Sequence, residues 1–189
     1  KKLHTGGSDK ILRTWDLGKL AIERQYTGHT APVTAVAASP TGILASGGGE
    51  GSIRFWNQAT GKEAESIGGH AAPLTSLAFN AAGNQLLSSG EDGFVKLWSI
   101  PGPAPKVLAH GDQVTTLAVS ADGTKALTGS GDKMVRLWNL TTGAKERDFP
   151  GPSQAVSALA LSADGARIAA GSADKILFVW TAADAKVVQ

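Results

Sequence analysis

One short phrase is written five times in this chain, and it limits the possible folds more than any other feature. It runs Thr5 to Trp15 (TGGSDKILRTW), Ser46 to Trp56 (SGGGEGSIRFW), Ser88 to Trp98 (SSGEDGFVKLW), Thr128 to Trp138 (TGSGDKMVRLW) and Ala170 to Trp180 (AGSADKILFVW). In each copy a run of small and apolar residues enters a Gly- and Asp-rich turn. A β-prone run ending in Trp then leaves it, which is the pattern of a β-hairpin. The tryptophans stand at 15, 56, 98, 138 and 180, at intervals of 41, 42, 40 and 42. All the tryptophans of the chain lie in this register.

A period of about 40–45 residues suits a four-stranded blade of a β-propeller. Each full unit divides into four runs. The first, Val33 to Ala37 with counterparts Leu74 to Phe79, Val114 to Val119 and Val156 to Leu161, is small and apolar and suits a crowded centre. Turns of the Ser-Pro-Thr-Gly kind (Ser39 to Gly42, Asn80 to Gly83, Ser120 to Gly123, Ser162 to Gly165) lead into the hairpin. The fourth run is charged: Ala21 to Gln25, Lys62 to Ile67, Lys106 to Leu108, Ala144 to Phe149 and Ala185 to Val188. Charge suits an outer edge, where it also blocks stray strand pairing. The proline-containing stretch Ser99 to Lys106 reads as a stiff surface loop. Glycine, at 24 residues, suits tight turns, and nothing in the pattern asks for a helix.

The bulk properties narrow the function classes. A net charge of +2 supports no claim on nucleic acid or a membrane surface. The chain has no cysteine, so disulfides and thiolate metal sites are excluded. No apolar run approaches the roughly 18 residues of a membrane span. The chain opens Lys1-Lys2-Leu3, without a signal-peptide pattern and in the middle of a repeat.

With hairpin, period and tryptophan register together, the sequence resembles the WD-repeat β-propeller family over its whole length. Gly-His stands at Gly28-His29 and Gly69-His70 and becomes Ala109-His110. Trp-Asp is intact at Trp15-Asp16, and reads Trp56-Asn57, Trp98-Ser99, Trp138-Asn139 and Trp180-Thr181 elsewhere. The resemblance implies an all-β fold of about five blades, with units 1–27, 28–68, 69–108, 109–150 and 151–189. It also implies a hydrogen-bonded tetrad per blade, in which a turn acid holds a His, the His meets a hydroxyl, and the hydroxyl meets the indole. The matching sets are His70, Ser88, Asp92, Trp98 and His110, Thr128, Asp132, Trp138. A third, His29, Ser46, Glu50, Trp56, carries a longer acid whose reach the sequence leaves open. The first unit keeps Thr5, Asp9 and Trp15. The last keeps Asp174 and Trp180 but has Pro152 in the His position and Ala170 in that of the hydroxyl.

A Ser-His-Asp set also invites a hydrolase reading. Against it, the set recurs blade after blade, no nucleophile-elbow pattern accompanies it, and the hydroxyl already has a buried indole to accept from. His4, with no ligand pattern nearby, reads as a strand residue. The cations two before each Trp (Arg13, Arg54, Lys96, Arg136) share a face with it. Phe178 at the fifth such position favours packing on the indole over phosphate binding. At the turns, the residue after each acid is Lys10, Gly51, Gly93, Lys133 or Lys175. These lysines are the candidate partner-binding rim, suited to an acidic protein, although lysine is also an ordinary soluble turn residue.

The expected function is therefore non-enzymatic: a rigid protein–protein interaction scaffold with no cofactor. The alternative is a sensory or docking module of a longer chain whose catalytic or electron-transfer domain lies elsewhere. The sequence predicts four complete blades and a first blade lacking its innermost strand. It predicts an open arrangement, completed by further blades or by another copy, with a closed ring of five as the alternative.

Overall fold

The computed structural model describes residues 1–100 and 106–188. These residues form five antiparallel sheets and no helix. The first sheet is β1 (Lys2–Gly6), β2 (Leu12–Asp16) and β3 (Ala21–Tyr26). The second is β4 (Val33–Ala38), β5 (Ile43–Gly48), β6 (Ser52–Asn57) and β7 (Glu63–Gly68). The third is β8 (Leu74–Phe79), β9 (Gln85–Gly90), β10 (Phe94–Ser99) and β11 (Lys106–Ala109). The fourth is β12 (Val114–Val119), β13 (Lys125–Ser130), β14 (Val135–Asn139) and β15 (Lys145–Phe149). The fifth is β16 (Val156–Leu161), β17 (Arg167–Ser172) and β18 (Leu177–Thr181). Within each sheet the strands pair in chain order. The loop expected over Ser99 to Lys106 lies, at 101–105, outside the described residues.

The gradient read from composition is the gradient of burial. The hairpin strands β5, β9 and β13 are almost wholly buried, whereas β7 is exposed along nearly its whole length. The innermost strands β4, β8, β12 and β16 lie side by side, and β1 packs against β4. Each innermost strand carries a bulge at its second residue. At three bulges a threonine hydroxyl donates to a carbonyl of the next sheet: Thr34 to Leu74 O at 2.6 Å, Thr75 to Val114 O at 2.5 Å, and Thr115 to Val156 O. These hydrogen bonds stitch sheet to sheet near the centre. Nothing in the repeat alone distinguishes them from ordinary strand threonines.

The expected fourth strand of the last sheet, Ala185 to Val188, does not form. A bridge from Trp180 to Val187, bonds between Thr181 and Ala185 and Lys186, and one from Val188 N to Val179 O at 2.7 Å tie it down without forming a strand. Ala185, at a φ of 57°, holds the left-handed turn position that Leu20, Gly61 and Gly143 hold in other sheets, which leaves the short run after it to pair. So three sheets, rather than four, are four-stranded among the described residues.

The closed ring of five is corrected by burial at equivalent positions. Three residues before each Trp stand Leu12, Ile53, Val95 and Val135, all 0% exposed, and Leu177, 63% exposed. Twelve before each Trp stand Leu44, Leu86, Ala126 and Ile168, all 0% exposed, and Leu3, 49% exposed. The forward face of one sheet covers the Trp-bearing face of the next throughout the series. The last forward face and the first Trp-bearing face are bare.

Candidate functional site

The hairpin turns and the loops that enter the innermost strands lie on one edge of the sheets, and the turn acid joins them. In four of the five units it caps its own turn, as Asp92 Oδ1 accepts from Phe94 N at 3.2 Å and Asp132 Oδ1 from Met134 N at 3.1 Å, whereas Glu50 accepts there from the Ser52 hydroxyl. It also accepts from the entering loop: Ala31 N to Glu50 at 3.2 Å, Ala71 N to Asp92 at 3.0 Å, Gly111 N to Asp132 at 3.0 Å and Ser153 N to Asp174 at 2.9 Å. These two hydrogen bonds explain why Asp174 stands in a unit with no His. Sequence reasoning assigned the acid to the His alone. Gly28, at a φ of 155°, passes where a Cβ would come within 3.3 Å of the Trp56 ring and 3.0 Å of the Arg54 guanidinium.

In the third sheet, His70 Nδ1 lies 2.8 Å from Asp92 Oδ1, His70 Nε2 lies 2.8 Å from Ser88 Oγ, and Trp98 Nε1 donates to Ser88 Oγ at 2.8 Å. A carboxylate can only accept, so the ring proton sits on Nδ1 and the Ser88 hydroxyl donates to Nε2. Burial lowers the His70 pKa despite the neighbouring Asp92. Burial alone would raise that of Asp92, but hydrogen bonds from His70 and Ala71 prevail and lower it. The second sheet has the same arrangement. His29 Nδ1 contacts Glu50, His29 Nε2 is 2.7 Å from Ser46 Oγ, and Trp56 Nε1 donates to Ser46 at 2.8 Å. The longer acid does reach.

The fourth sheet departs from the expected set. His110 Nδ1 is 4.0 Å from Asp132, because the Arg136 guanidinium lies between them, 2.6 Å from His110 Nδ1 and 2.7 Å from Asp132 Oδ2. Register gives the reason. Trp56 pairs with Glu63, and Glu63 holds Arg54 at 2.8 Å. Trp138 pairs instead with Lys145, which is held by Asp148 at 2.7 Å; Arg136 Nε stays 3.6 Å from Asp148 while its Nη1 reaches Asp132 at the turn. An arginine can only donate, so His110 Nδ1 must accept and its proton sits on Nε2, facing Thr128 Oγ1 at 2.9 Å. Trp138 Nε1 donates to the same Oγ1 at 2.8 Å. Burial, with Arg136 adding to it, lowers the His110 pKa to about 4.

The other sequence-predicted residues fall as follows. Trp15 Nε1 donates to Thr5 at 2.8 Å, Asp9 binds Arg13, and His4 lies on β1, 2.9 Å from Thr14 Oγ1. The cations beside the tryptophans serve internal acceptors: Lys96 Nζ donates to Gly69 O at 2.6 Å, and Arg13, Arg54 and Arg136 bind acids. Phe178 stacks on Trp180, with ring centres 5.6 Å apart and an interplanar angle of 12°. Lys10, Lys133 and Lys175 are exposed at the turn tips, with φ of 69°, 71° and 67°. Gly51 and Gly93 share that left-handed position at φ of 78° and 79°. Around Gly93 the rim is acidic, lined by Glu91, Asp92 and Asp112. On the opposite edge, a 590 Å³ groove between the turns after β12 and β16 is lined by Asp122, Lys125, Leu161 and Asp164. Its acids are engaged by Ser120 and Ser162 at 2.5 Å each.

Radially ordered sheets of three or four antiparallel strands, each covering its neighbour and four of them with an indole donating to a hydroxyl, define a propeller-type repeat protein. Four stretches, 21–57, 61–99, 103–139 and 143–181, match the family described as WD domain, G-beta repeat, and the chain belongs to that family. No curated protein matches the chain. Each matched stretch begins at an outer strand and ends at the Trp-bearing strand of the next sheet, so the sequence repeat straddles two blades. Repeats of this family generally mediate protein–protein interaction.

Proposed function

We propose that the chain is a non-enzymatic interaction platform whose partner docks on the turn edge through Lys10, Lys133 and Lys175. The observation that carries this reading is the backbone at those three positions. A left-handed conformation costs a side-chain-bearing residue roughly 1–2 kcal/mol, and glycine occupies the same position in two of the five turns. A lysine held there projects from the tip, and among the described residues none of the three is in an ion pair. The tetrads and their Arg136-bridged variant serve the platform by fixing turn to loop and burying each indole. Their hydroxyls are buried at 0% exposure in Ser46, Ser88 and Thr128, which leaves a substrate no approach to them.

The partner chemistry is acidic at the first, fourth and fifth turns, and the acidic third turn disfavours it there. The test is fluorescence anisotropy with a labelled Glu-rich peptide at low salt, comparing the parent with Lys133→Glu/Lys175→Glu. Exposed pairs contribute about 0.2–1 kcal/mol each, so the double reversal should weaken binding at least about fivefold. Equal affinity for both proteins, or no binding to the parent, would reject the rim.

A further inference from the structure

On the edge opposite the hairpin turns, the 590 Å³ groove between the fourth and fifth sheets has a cause that the repeat itself exposes. The residue two after each Trp is Gln58, Ile100, Leu140 and Ala182 in the second to fifth sheets. One backbone hydrogen bond fixes this residue in all four. Gln58 N donates to Gly42 O at 3.0 Å, Ile100 N to Asn84 O at 2.9 Å, Leu140 N to Thr124 O at 2.8 Å and Ala182 N to Ala166 O at 2.9 Å. The four side chains therefore start from equivalent places. Leu140 is 1% exposed, in the cluster that holds Leu97 and Trp138. Ile100 packs on the cluster that holds Phe55 and Leu86. Ala182 stops at its Cβ. The space that an aliphatic chain fills in the two preceding junctions is left open beside Leu161 and Leu137, the counterpart of Leu97.

The turns that rim this edge differ in the same place. A Cβ at Gly83 would strike Ser39 Oγ, and one at Gly123 would stand 3.2 Å from Asn80 Cβ, so the second, third and fourth turns stack closely. At Gly165 no atom of the described residues lies within 4 Å, so the fifth turn stands clear of the fourth. These two turns carry Asp122 and Asp164, where the turns after β4 and β8 have Thr41 and Ala82. Hydrogen bonds from Ser120 and Thr124 lower the Asp122 pKa to about 2, and bonds from Ser162 and Ala166 N lower that of Asp164. Both carboxylates are exposed and charged at neutral pH. Lys125, also on the lining, pairs with Glu146 at 3.0 Å. The groove thus joins an apolar floor to an anionic rim, at a volume within the range of about 300–1,000 Å³ of ligand pockets. It lies between adjacent sheets, so it does not depend on what covers the bare faces at the ends of the series.

We infer that this groove is a docking site for a segment of a partner protein, in which one leucine or isoleucine side chain takes the place that Leu140 fills in the preceding junction and a neighbouring lysine or arginine meets Asp122 and Asp164. The hairpin-turn lysines lie on the other edge and select an acidic partner, so either proposal can fail without the other.

The probe is a labelled peptide with one leucine between lysines, followed by fluorescence anisotropy at low salt. The parent should bind it, and alanine in place of the leucine should weaken binding by about tenfold or more, as for loss of a central apolar anchor. Glutamate in place of the lysines should abolish binding. Ala182→Leu supplies the missing side chain from within. It should weaken the peptide by about tenfold or more while the midpoint of urea unfolding stays equal or rises. Asp122→Asn/Asp164→Asn should weaken it by about fivefold, as for two exposed pairs, and flatten the salt dependence. Amide shifts on titration should centre on Ala163, Gly165 and Ala182. A parent that does not bind would overturn the proposal. So would equal affinity for the alanine peptide, equal affinity in Ala182→Leu, or shifts centred on the hairpin turns. If Ala182→Leu fails to fold, the peptide series and the shifts on the parent decide.

Discussion

Lys145→Glu should convert the fourth sheet's buried network into the form seen in the second and third. Beside Asp148, already 3.6 Å from Arg136 Nε, the substitution adds an acid at the register position where Arg54 finds Glu63 at 2.8 Å. With Arg136 drawn outward, Asp132 is free to approach His110, now 4.0 Å away. Two readouts should change together. The His110 proton should move from Nε2 to Nδ1, visible in the ring ¹⁵N shifts. Its pKa should rise from about 4, because the nearby cation is withdrawn and a carboxylate replaces it. The sign for stability follows from the depressed value. In the unfolded chain the imidazole titrates near 6.5, so above that pH both states are neutral and the stabilising contribution is whole. As pH falls from about 6.5 to about 4 the unfolded state binds the proton first, and the contribution is lost. A drop to about 4 corresponds to roughly 3 kcal/mol at about 1.4 kcal/mol per pH unit. His70 and His4 are also lowered by burial and slope the same way, so the measurement must be site-resolved. NMR titration of ring-labelled protein, with urea melts at pH 7 and pH 4.5, provides that. The Lys145–Asp148 pair lost in the variant is exposed and costs little. A parent His110 that titrates near 6.5, or that already carries its proton on Nδ1, would refute the reasoning.

Three further outcomes are expected. Thr75→Val should destabilise by about 1 kcal/mol in chemical denaturation, since Val114 O then loses a donor between sheets, and an unchanged midpoint would argue against the stitch. Lys133→Gly should stabilise by up to about 1 kcal/mol by relieving the left-handed backbone while removing a rim charge, so a large loss of stability would contradict the assigned turn. Backbone hydrogen exchange should be fastest in the outer strands, β7 above all, and slowest in β5, β9 and β13, with the reverse order refuting the radial stacking.

The tryptophan register and the turn glycines made the hairpins and the radial order legible, because both depend on local backbone chemistry and on a period. What the sequence hid depends on pairing across strands. Arg136 and Arg54 are the same residue type at the same register position, but the outer-strand residue facing the neighbouring Trp is Lys145 in one sheet and Glu63 in the other, and the guanidinium cross-strand partners are Asp148 and Ser66. That difference was visible in the letters but carries no meaning until β14 and β15 are paired. The threonine stitches were hidden in the same way, since their acceptors lie about forty residues on. The lysine turns were half legible: Gly51 and Gly93 at the matching positions signal a left-handed site, which Lys10, Lys133 and Lys175 then occupy. Ala185 to Val188 failed as a strand because charge and β-branching describe an edge strand without supplying enough pairs to hold one.

The fifth sheet separates what the repeat needs from what it merely uses. It has no His and no hydroxyl, yet Trp180 is 0% exposed. Its indole N–H donates to Pro150 O at 3.2 Å, Pro152 is buried, and Phe178 stacks on the ring. A buried indole requires an acceptor, and leaving it without one costs about 1–3 kcal/mol. A backbone carbonyl meets that requirement as well as a serine does. The apolar Phe178 takes the register position that holds a cation in the other sheets, so no charge there needs an acid or a His. Asp174 persists because its bonds to Ile176 N at 3.0 Å and Ser153 N at 2.9 Å never involved the His. Two solutions to one packing problem thus coexist in a single chain, a hydroxyl acceptor under four indoles and a backbone carbonyl with a ring stack under the fifth. A group that can be exchanged for phenylalanine and a carbonyl without exposing the tryptophan is doing the work of packing. That is the physical ground for reading the serine–histidine–acid sets as supports of the blade.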